Sequence, residues 1–291
     1  MLLKIIEITF PIFTIAIIGF IYAKRARPDF GATNKFVMDI ALPVLIFVSL
    51  SSKSFDPISA LTFTGASVLL ILLCGLLALP LVRLCGLSRP AFLPLVMFAN
   101  VGPVGIPMIA LAYGESGLVY SVILLVISNL LHFTLGTIIM SGRVDWRMVY
   151  ANPLIWASVF GVLNGSLGIE LPGPLTTTLT MIGNVLVPMM LISLGARLAT
   201  SEVSDAGVGT RASLLAILIR ATAAYAIIWL VPMTDIETGA LLLFAFLPPA
   251  VFNFMLADRF KLEPQRVAST VIVGHLLGLA FLPLAIWLAF V

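Results

Sequence analysis

FANVGPVGIPMIALAYG, residues 98–114, interrupts an apolar stretch that is long enough to cross a bilayer. Its unusual members for such a place are Asn100, Gly102, Pro103, Gly105 and Pro107. Proline removes a backbone donor and clashes with the preceding turn, while glycine weakens a helix interior. Within a membrane, non-helical backbone is tolerated only inside protein or along a wet cavity. The stretch therefore predicts a broken membrane helix that lines such a cavity.

The composition of the whole chain is that of a membrane protein. Of its 291 residues, 61% are hydrophobic and 10% are charged, whereas soluble domains carry about 25% charged residues. The first apolar run has no small-residue cleavage site and ends in KRAR (24–27), so it predicts a span rather than a secretory signal. We expect an all-α polytopic membrane protein with no appended soluble domain and no nucleic-acid partner.

Apolar runs predict ten transmembrane helices, which we call spans 1 to 10. They lie near residues 3–23, 34–51, 58–83, 91–112, 117–140, 152–168, 173–197, 211–231, 238–258 and 264–290. The loops after the odd-numbered spans hold Lys24, Arg25, Arg27, Lys35, Arg83, Arg89, Arg143, Arg147, Arg197, Arg211, Arg259, Lys261 and Arg266. The opposite side has Lys4 and Lys53, and Arg220 lies within span 8. Positive loops face the cytoplasm, so both termini are expected on the non-cytoplasmic side of an inner (plasma) membrane.

The two halves of the chain resemble each other. Three pairs of segments align at offsets of 145 or 146: IALPVLIF (40–47) with VLVPMMLI (185–192), FANVGP (98–103) with FAFLPP (244–249), and SNLL (128–131) with GHLL (274–277). Pro43 thereby matches Pro188, and Gly19 matches Gly161 at an offset of 142. We expect a duplication with repeat 1 at 1–146 and repeat 2 at 147–291. Because each unit has five spans, the copies are inverted, which is a transporter architecture with a midplane site.

Spans 4 and 9 carry helix breakers at equivalent positions, Gly102 with Pro103 and Pro248 with Pro249. We expect two broken helices that cross, with Pro103 and Pro249 in the first turn of each second half. Their free N–H groups favour an anion. The alternative is a pair of proline kinks packed by neighbours. The predicted substrate-binding residues are Asn100, Val101, Gly102, Pro103, Gly105, Pro107, Pro248, Pro249, Ala250 and Asn253; Asn253 either lines the cavity or satisfies freed backbone groups.

These residues also resemble those of a known family. Asn100-x4-Gly105-Ile106-Pro107, together with LPPAVFNFMLADRF (247–260) and STVIVG (269–274), is similar to motifs of the auxin efflux carrier family, in its short prokaryotic branch. The resemblance implies a scaffold of spans 1, 2, 6 and 7 and a mobile transport domain of spans 3–5 and 8–10, with Pro43 and Pro188 as hinge or scaffold positions. Plant carriers have proline where this chain has Ala99, so the first break is expected to rest on Gly102 and Pro103.

Other polar residues within the spans are candidates for coupling to an ion, H⁺ or Na⁺. Asn129 and His275 occupy equivalent positions near the midplane, where they either take part in coupling or join two helices by a hydrogen bond. Arg220 pairs with a substrate carboxylate or with Asp39, or extends to the membrane surface. Asp39 suits the positive end of a helix or holds a cation. His132 is expected to pack.

The resulting hypothesis is a secondary carrier, of the elevator type, for a small organic anion such as a mono- or dicarboxylate. The alternatives are a sodium-coupled bile-acid-type symporter or an anion channel, since broken helices also line filters. No enzyme motif, metal cluster or cofactor motif is present, and GESG (114–117) is not the Gly-x-Ser-x-Gly of hydrolases. Membrane lipid surrounds the chain, and the resemblance allows a homodimer.

Overall fold

The computed structural model describes residues 2–52 and 57–290. Within those ranges the chain forms helices and connecting segments, and its extended pairing is limited to one isolated antiparallel bridge. Seven of the described helices are long and apolar enough to cross a membrane. An all-helical polytopic membrane protein is therefore confirmed. Lys53, which the charge pattern places on the non-cytoplasmic side, lies outside the described residues.

Twelve helical segments organise the described chain. They are α1 (Leu2–Ala26), α2 (Gly31–Ser51), α3 (Ala60–Cys85), α4 (Arg89–Met97), α5 (Val101–Ser141), α6 (Trp146–Tyr150), α7 (Pro153–Leu167), α8 (Gly173–Thr200), α9 (Ala206–Leu230), α10 (Asp235–Phe246), α11 (Phe252–Arg259) and α12 (Pro264–Ala289). The seven long ones are α1, α2, α3, α5, α8, α9 and α12, and α7 is a shorter apolar helix.

Helix α5 is too long for a single crossing. Its 41 residues would extend about 60 Å as a straight helix, about twice the thickness of the hydrocarbon core. Gly114 interrupts it with φ 66° and ψ −147°, a backbone conformation that is open to glycine and strained for other residues. The segments before and after Gly114 therefore run as separate helices.

Polar caps fix where several helices begin. The Asn152 side chain accepts a hydrogen bond from the Leu154 N–H (2.9 Å) at the start of α7, and Asp205 does the same for Val208 (3.0 Å) at the start of α9. Thr234 and Glu237 form a reciprocal capping box at the start of α10. Each cap satisfies N–H groups that the first helical turn leaves free.

Small residues let α1 pack closely along the second half of α8. A side chain at Gly19 would collide with the backbone of Ile192, and one at Gly195 would collide with the backbone of Ala16. Lipid tails are as apolar as leucine, so close backbone contact is a main source of helix–helix stability in a membrane. The two glycines therefore allow the backbones of α1 and α8 to approach closely.

The α2–α7 pair is built in the same way. Gly161 of α7 lies against the backbone of Phe47, and Gly165 lies against the backbone of Leu50. The predicted repeat would align this contact with the one between α1 and α8, since it pairs Gly19 with Gly161 and Phe47 with Ile192.

The helices that carry the two breaks pack with α3, α9 and α12, in a core that is continuous with α1, α2 and α8. Phe63, Phe92 and Phe244, from α3, α4 and α10, are fully buried. Helix α9 packs against both α3 and α12, and the buried Ser213 hydroxyl donates to the Thr270 carbonyl at 3.0 Å. These contacts position the two broken helices that form the candidate site.

Candidate functional site

Two helices break at the places where the sequence has its breakers, and the breaks meet. Helix α4 ends at Met97 before α5, and α10 ends at Phe246 before α11. The intervening segments pair through the antiparallel bridge, in which the Asn100 N–H donates to the Pro248 carbonyl (2.8 Å) and the Ala250 N–H donates to the Phe98 carbonyl (2.9 Å). The bridge satisfies backbone groups that neither helix can satisfy there.

The first break lies upstream of the residues expected to cause it. The non-helical residues are Phe98 to Asn100, and Val101–Gly105 is already wound as a wide π turn that contains Gly102 and Pro103. A proline ring clashes with the carbonyl four residues earlier, which for Pro103 is that of Ala99. The proline thus disrupts the helix before its own position. Asn100 has φ −80° and ψ 66°, and the Val101 N–H bonds to the Ala99 carbonyl at 2.9 Å, which is an inverse γ-turn.

The second break also differs from expectation. Pro249 is predicted in the first turn of a half-helix, yet it lies in the extended bridge, and α11 begins only at Phe252. A residue before proline is pushed away from helical backbone. Leu247, which precedes Pro248, accordingly has ψ 145°, and Pro248 is restricted in the same way by Pro249. The double proline therefore delays the start of the second half.

Each break leaves backbone donors without acceptors. Among the described residues, the N–H groups of Gly102, Val251 and Phe252 have no hydrogen-bond partner. By contrast, the Val104 and Gly105 N–H groups both donate to the Asn100 carbonyl, at 3.3 and 3.2 Å. Free N–H groups at helix starts carry partial positive charge and bind anions.

A cavity of about 230 Å³ lies beside these donors. It is lined by Asn34, Met38, Leu42, Ala99, Asn100, Val101, Gly102, Pro103, Leu125, Ser128, Asn129, His132, Met190, Ser193, Leu194, Arg197, Ala250, Val251, Phe252, Met255 and His275. The breaks, the second part of α5, α11 and α12 supply part of the lining, and α2 and α8 supply the rest, which we call the α2–α8 wall. Asn100, Val101, Gly102, Pro103 and Ala250 line it, whereas Gly105, Pro107, Pro248, Pro249 and Asn253 are outside this set.

Asn100 is held by His275. The Asn100 amide nitrogen lies 2.9 Å from His275 Nε2, and His275 Nδ1 lies 2.7 Å from the Val271 carbonyl. Because a carbonyl only accepts, Nδ1 carries the proton and Nε2 accepts from the amide. One of the two amide N–H groups of Asn100 is therefore engaged, and the other remains for a ligand. His275 joins span 10 to the first break instead of facing Asn129, which lines the cavity separately.

Asn253 and His132 both contact Phe98, the first residue of the first break. The buried Asn253 amide donates to the Phe98 carbonyl at 3.2 Å, so Asn253 satisfies freed backbone. His132 stacks on the Phe98 ring, with centroids 4.1 Å apart, and packs edge-on against Phe252 at 5.2 Å. His132 packs, as expected, and one edge of it also reaches the cavity.

Arg220 is deeper than the sequence suggests. Its helix α9 begins at Ala206, five residues before the predicted start of span 8 at 211, so Arg220 lies near the helix centre. It is fully buried, its Nε donates to the Ala216 carbonyl at 3.1 Å, and its Nη1 and Nη2 have no partner among the described residues. It neither reaches the membrane surface nor pairs with Asp39, which is exposed on α2.

Several polar cavity residues are not predicted as site residues by the sequence analysis, among them Asn34, Ser193 and Arg197. The Ser193 hydroxyl donates to the Asn34 side-chain oxygen at 2.7 Å. The available signal is the spacing of Ser193 and Arg197, four residues apart and hence on one face of α8. Pro43 and Pro188 lie within α2 and α8 and do not line the cavity. In the described ranges, no group of three His, Cys, Asp or Glu side chains could hold a metal ion.

Comparison with known proteins identifies the family of the chain. The chain matches the family described as Mem_trans, Membrane transport protein, over residues 4–145 and 138–288. It is 28% identical to an "Uncharacterized transporter" of Methanothermobacter thermautotrophicus, with 96% of each chain covered. It is 23% identical to a "Putative malonate transporter" of Rhizobium meliloti, covering 95% of this chain and 93% of that one. An uncharacterized transporter of Methanocaldococcus jannaschii is 24% identical, with 87% of each chain covered.

Proposed function

The chain belongs to the membrane transport protein family, as its auxin efflux carrier motifs predict, and from that membership we propose a secondary active carrier for a small organic anion. The substrate class is a mono- or dicarboxylate. The energy comes from ion or substrate gradients. The site is the cavity between the broken helices and the α2–α8 wall.

One observation carries this proposal: unpaired N–H groups from both breaks border the same cavity. Gly102 belongs to the first break, and Val251 and Phe252 belong to the second. Backbone donors at helix starts hold a carboxylate without a full positive charge in the membrane. The free N–H of the Asn100 amide adds a side-chain donor. Such half-helix starts at a midplane cavity are typical of secondary carriers.

The proposed architecture has ten spans in two inverted repeats, 1–146 and 147–291. The two segments of α5 count as part of span 4 and as span 5, and α10 with α11 forms the broken span 9. The matching contacts Gly19–Ile192 and Gly161–Phe47 support the repeat. In this proposal, the α1–α8 and α2–α7 pairs are the scaffold, and the group that holds the breaks moves as an elevator.

The carboxylate class draws support from two sources. The relative from Rhizobium meliloti is named for malonate. Among the described residues, no aspartate or glutamate lines the cavity, whereas Arg197 does. Among the coupling candidates, Asn129 and His275 border the cavity and Asp39 and Arg220 do not, so H⁺ or Na⁺ coupling is proposed to act through the first two.

The test is transport by purified protein in liposomes. If the protein is a carrier, proteoliposomes loaded with unlabelled malonate should transiently accumulate external labelled malonate by counterflow. The uptake rate should saturate as the external malonate concentration rises. Liposomes without protein provide the control. Large ohmic anion currents without counterflow would instead establish a channel. Absence of both flux and binding for every mono- and dicarboxylate tried would overturn the organic-anion assignment.

A further inference from the structure

The α2–α8 wall of the cavity carries a second set of hydrogen-bond donors besides those of the broken helices. Arg197 and Asn34 border the cavity from α8 and α2. Arg197 is exposed, and its guanidinium forms no ion pair or hydrogen bond with the described residues. Within the described part of the chain, Asp29 is the one acidic residue that lines the adjoining cavity, and its carboxylate accepts from the Gly31 N–H at 2.7 Å.

Asn34 is oriented as a donor beside Arg197. Its side-chain oxygen accepts a hydrogen bond from the Ser193 hydroxyl at 2.7 Å. The NH₂ group of the same side chain is therefore the part that can donate to a ligand. That NH₂ group has no acceptor within 2–52 and 57–290. A planar guanidinium with an adjacent amide donor matches the geometry of a carboxylate.

The cavity that holds both sets of donors also has an apolar part. Met38, Leu42, Met190 and Leu194 line it, and they provide contacts for methylene groups rather than for charge. A ligand that contacts both sets of donors and these apolar side chains therefore has two carboxylates joined by a short aliphatic chain.

We propose that Arg197, assisted by Asn34, binds the second carboxylate of a short aliphatic dicarboxylate whose first carboxylate occupies the broken helices. The proposal rests on the function proposed above, since the first carboxylate site is part of it. It makes Arg197 the residue that distinguishes dianions from monoanions. A monocarboxylate leaves the guanidinium without a partner and gains nothing from it.

The experiment compares malonate with monomethyl malonate, which has nearly the same shape and one negative charge fewer. Dissociation constants are measured by calorimetry on purified protein, for the parent and for Arg197→Gln and Arg197→Lys. We expect Arg197→Gln to weaken malonate binding about 10- to 100-fold, the range for losing a hydrogen bond between charged groups. Binding of monomethyl malonate should change less than about twofold. Arg197→Lys should retain part of the malonate affinity, because the charge remains without the planar fork.

Arg143→Gln is the matched control, since it removes an exposed arginine that lies outside the cavity. Succinate and glutarate extend the comparison to longer chains. Equal weakening of both malonate and its monomethyl ester, or of neither, would overturn the role of Arg197 and leave the anion carrier intact. Preference of the parent for monocarboxylates would do the same. Failure of the parent to bind any carboxylate would overturn both proposals. Melting curves of each variant establish that it is folded.

Discussion

At the scale of single residues, Asn100 joins three parts of the site. Its N–H closes the bridge to Pro248, its carbonyl accepts from Val104 and Gly105, and its amide bonds to His275. All of these are buried at the point where two helices lose their own hydrogen bonds. The residue therefore organises the break and still has one amide N–H for a ligand.

Replacing Asn100 by alanine is expected to weaken carboxylate binding by about 1–3 kcal/mol, the cost of a lost hydrogen bond to a charged group together with an unpaired neighbour. Asn164→Ala is the control, because that amide bonds to the Ile169 carbonyl at the protein surface. Calorimetry with malonate measures both. Unchanged affinity in a well-folded Asn100→Ala protein would place the anion elsewhere.

Arg220 leads to a prediction about stability. A buried charge without a partner costs several kcal/mol, and apolar residues of similar volume often stabilise such positions by about 1–4 kcal/mol. Arg220→Met should therefore raise the melting temperature of the purified protein. The matched control is Arg211→Met on the same helix, where the exposed Arg211 Nε makes the same kind of bond, to the Gly207 carbonyl at 3.2 Å. Melting at a lower temperature for Arg220→Met alone would mean that the guanidinium is satisfied.

At the scale of elements, the sequence predicts two broken helices at the prolines of spans 4 and 9. The structure places the non-helical residues of the first upstream of Gly102, and it starts the second half of the other helix only at Phe252. The helix-breaking residues can be recognised from the sequence alone: Gly102, Pro103, Pro248 and Pro249. The positions of the breaks depend on longer-range effects: the ring of Pro103 acts on the carbonyl of Ala99, and the backbone bridge couples one break to the other. Pairing between segments about 150 residues apart leaves no local sequence pattern.

Restoring helical residues at either break should remove the site. In Gly102→Ala with Pro103→Ala, residue 103 regains its N–H and the clash with Ala99 disappears, so a continuous helix is favoured. The free N–H of residue 102 then finds a carbonyl within the helix, and malonate uptake is expected to be lost. Pro248→Ala with Pro249→Ala should have the same effect from the other side.

The control for these variants is Pro283→Ala, a proline inside α12 that lies outside the cavity. Protein yield and melting temperature must match the parent, because loss of uptake through misfolding says nothing about the site. Well-folded variants that transport normally would contradict the role given to the breaks.

At the scale of the whole molecule, apolar runs and charge distribution in the sequence predict the fold class well. The sequence does not predict which helices share a cavity. The polytopic helical class follows from composition, and the glycine contacts of α1 with α8 and α2 with α7 fit the repeat found in the sequence. The sequence does not predict the α2–α8 wall, because polar residues such as Asn34 and Arg197 are common at the ends of membrane spans. Only packing brings them to the same cavity as Asn100.

Orientation in the membrane is the last prediction, and the loops make it testable. The ion pair between Arg259 and Asp145 (3.0 Å) and that between Arg266 and Asp205 (3.5 Å) join the loops that carry most of the positive charge. Those loops are expected in the cytoplasm, because positively charged segments are retained there.

Single cysteines are introduced into a chain whose buried Cys74 and Cys85 are replaced by alanine. The target positions are exposed: Glu170→Cys and Asp235→Cys on one side, and Arg143→Cys and Lys261→Cys on the other. A membrane-impermeant maleimide should label the first two in intact cells and the last two only after permeabilisation. As a control, all four cysteine variants are denatured in detergent, where each should be labelled. The opposite pattern would invert the molecule, place both termini in the cytoplasm and move the Arg197 wall to the outer half of the membrane.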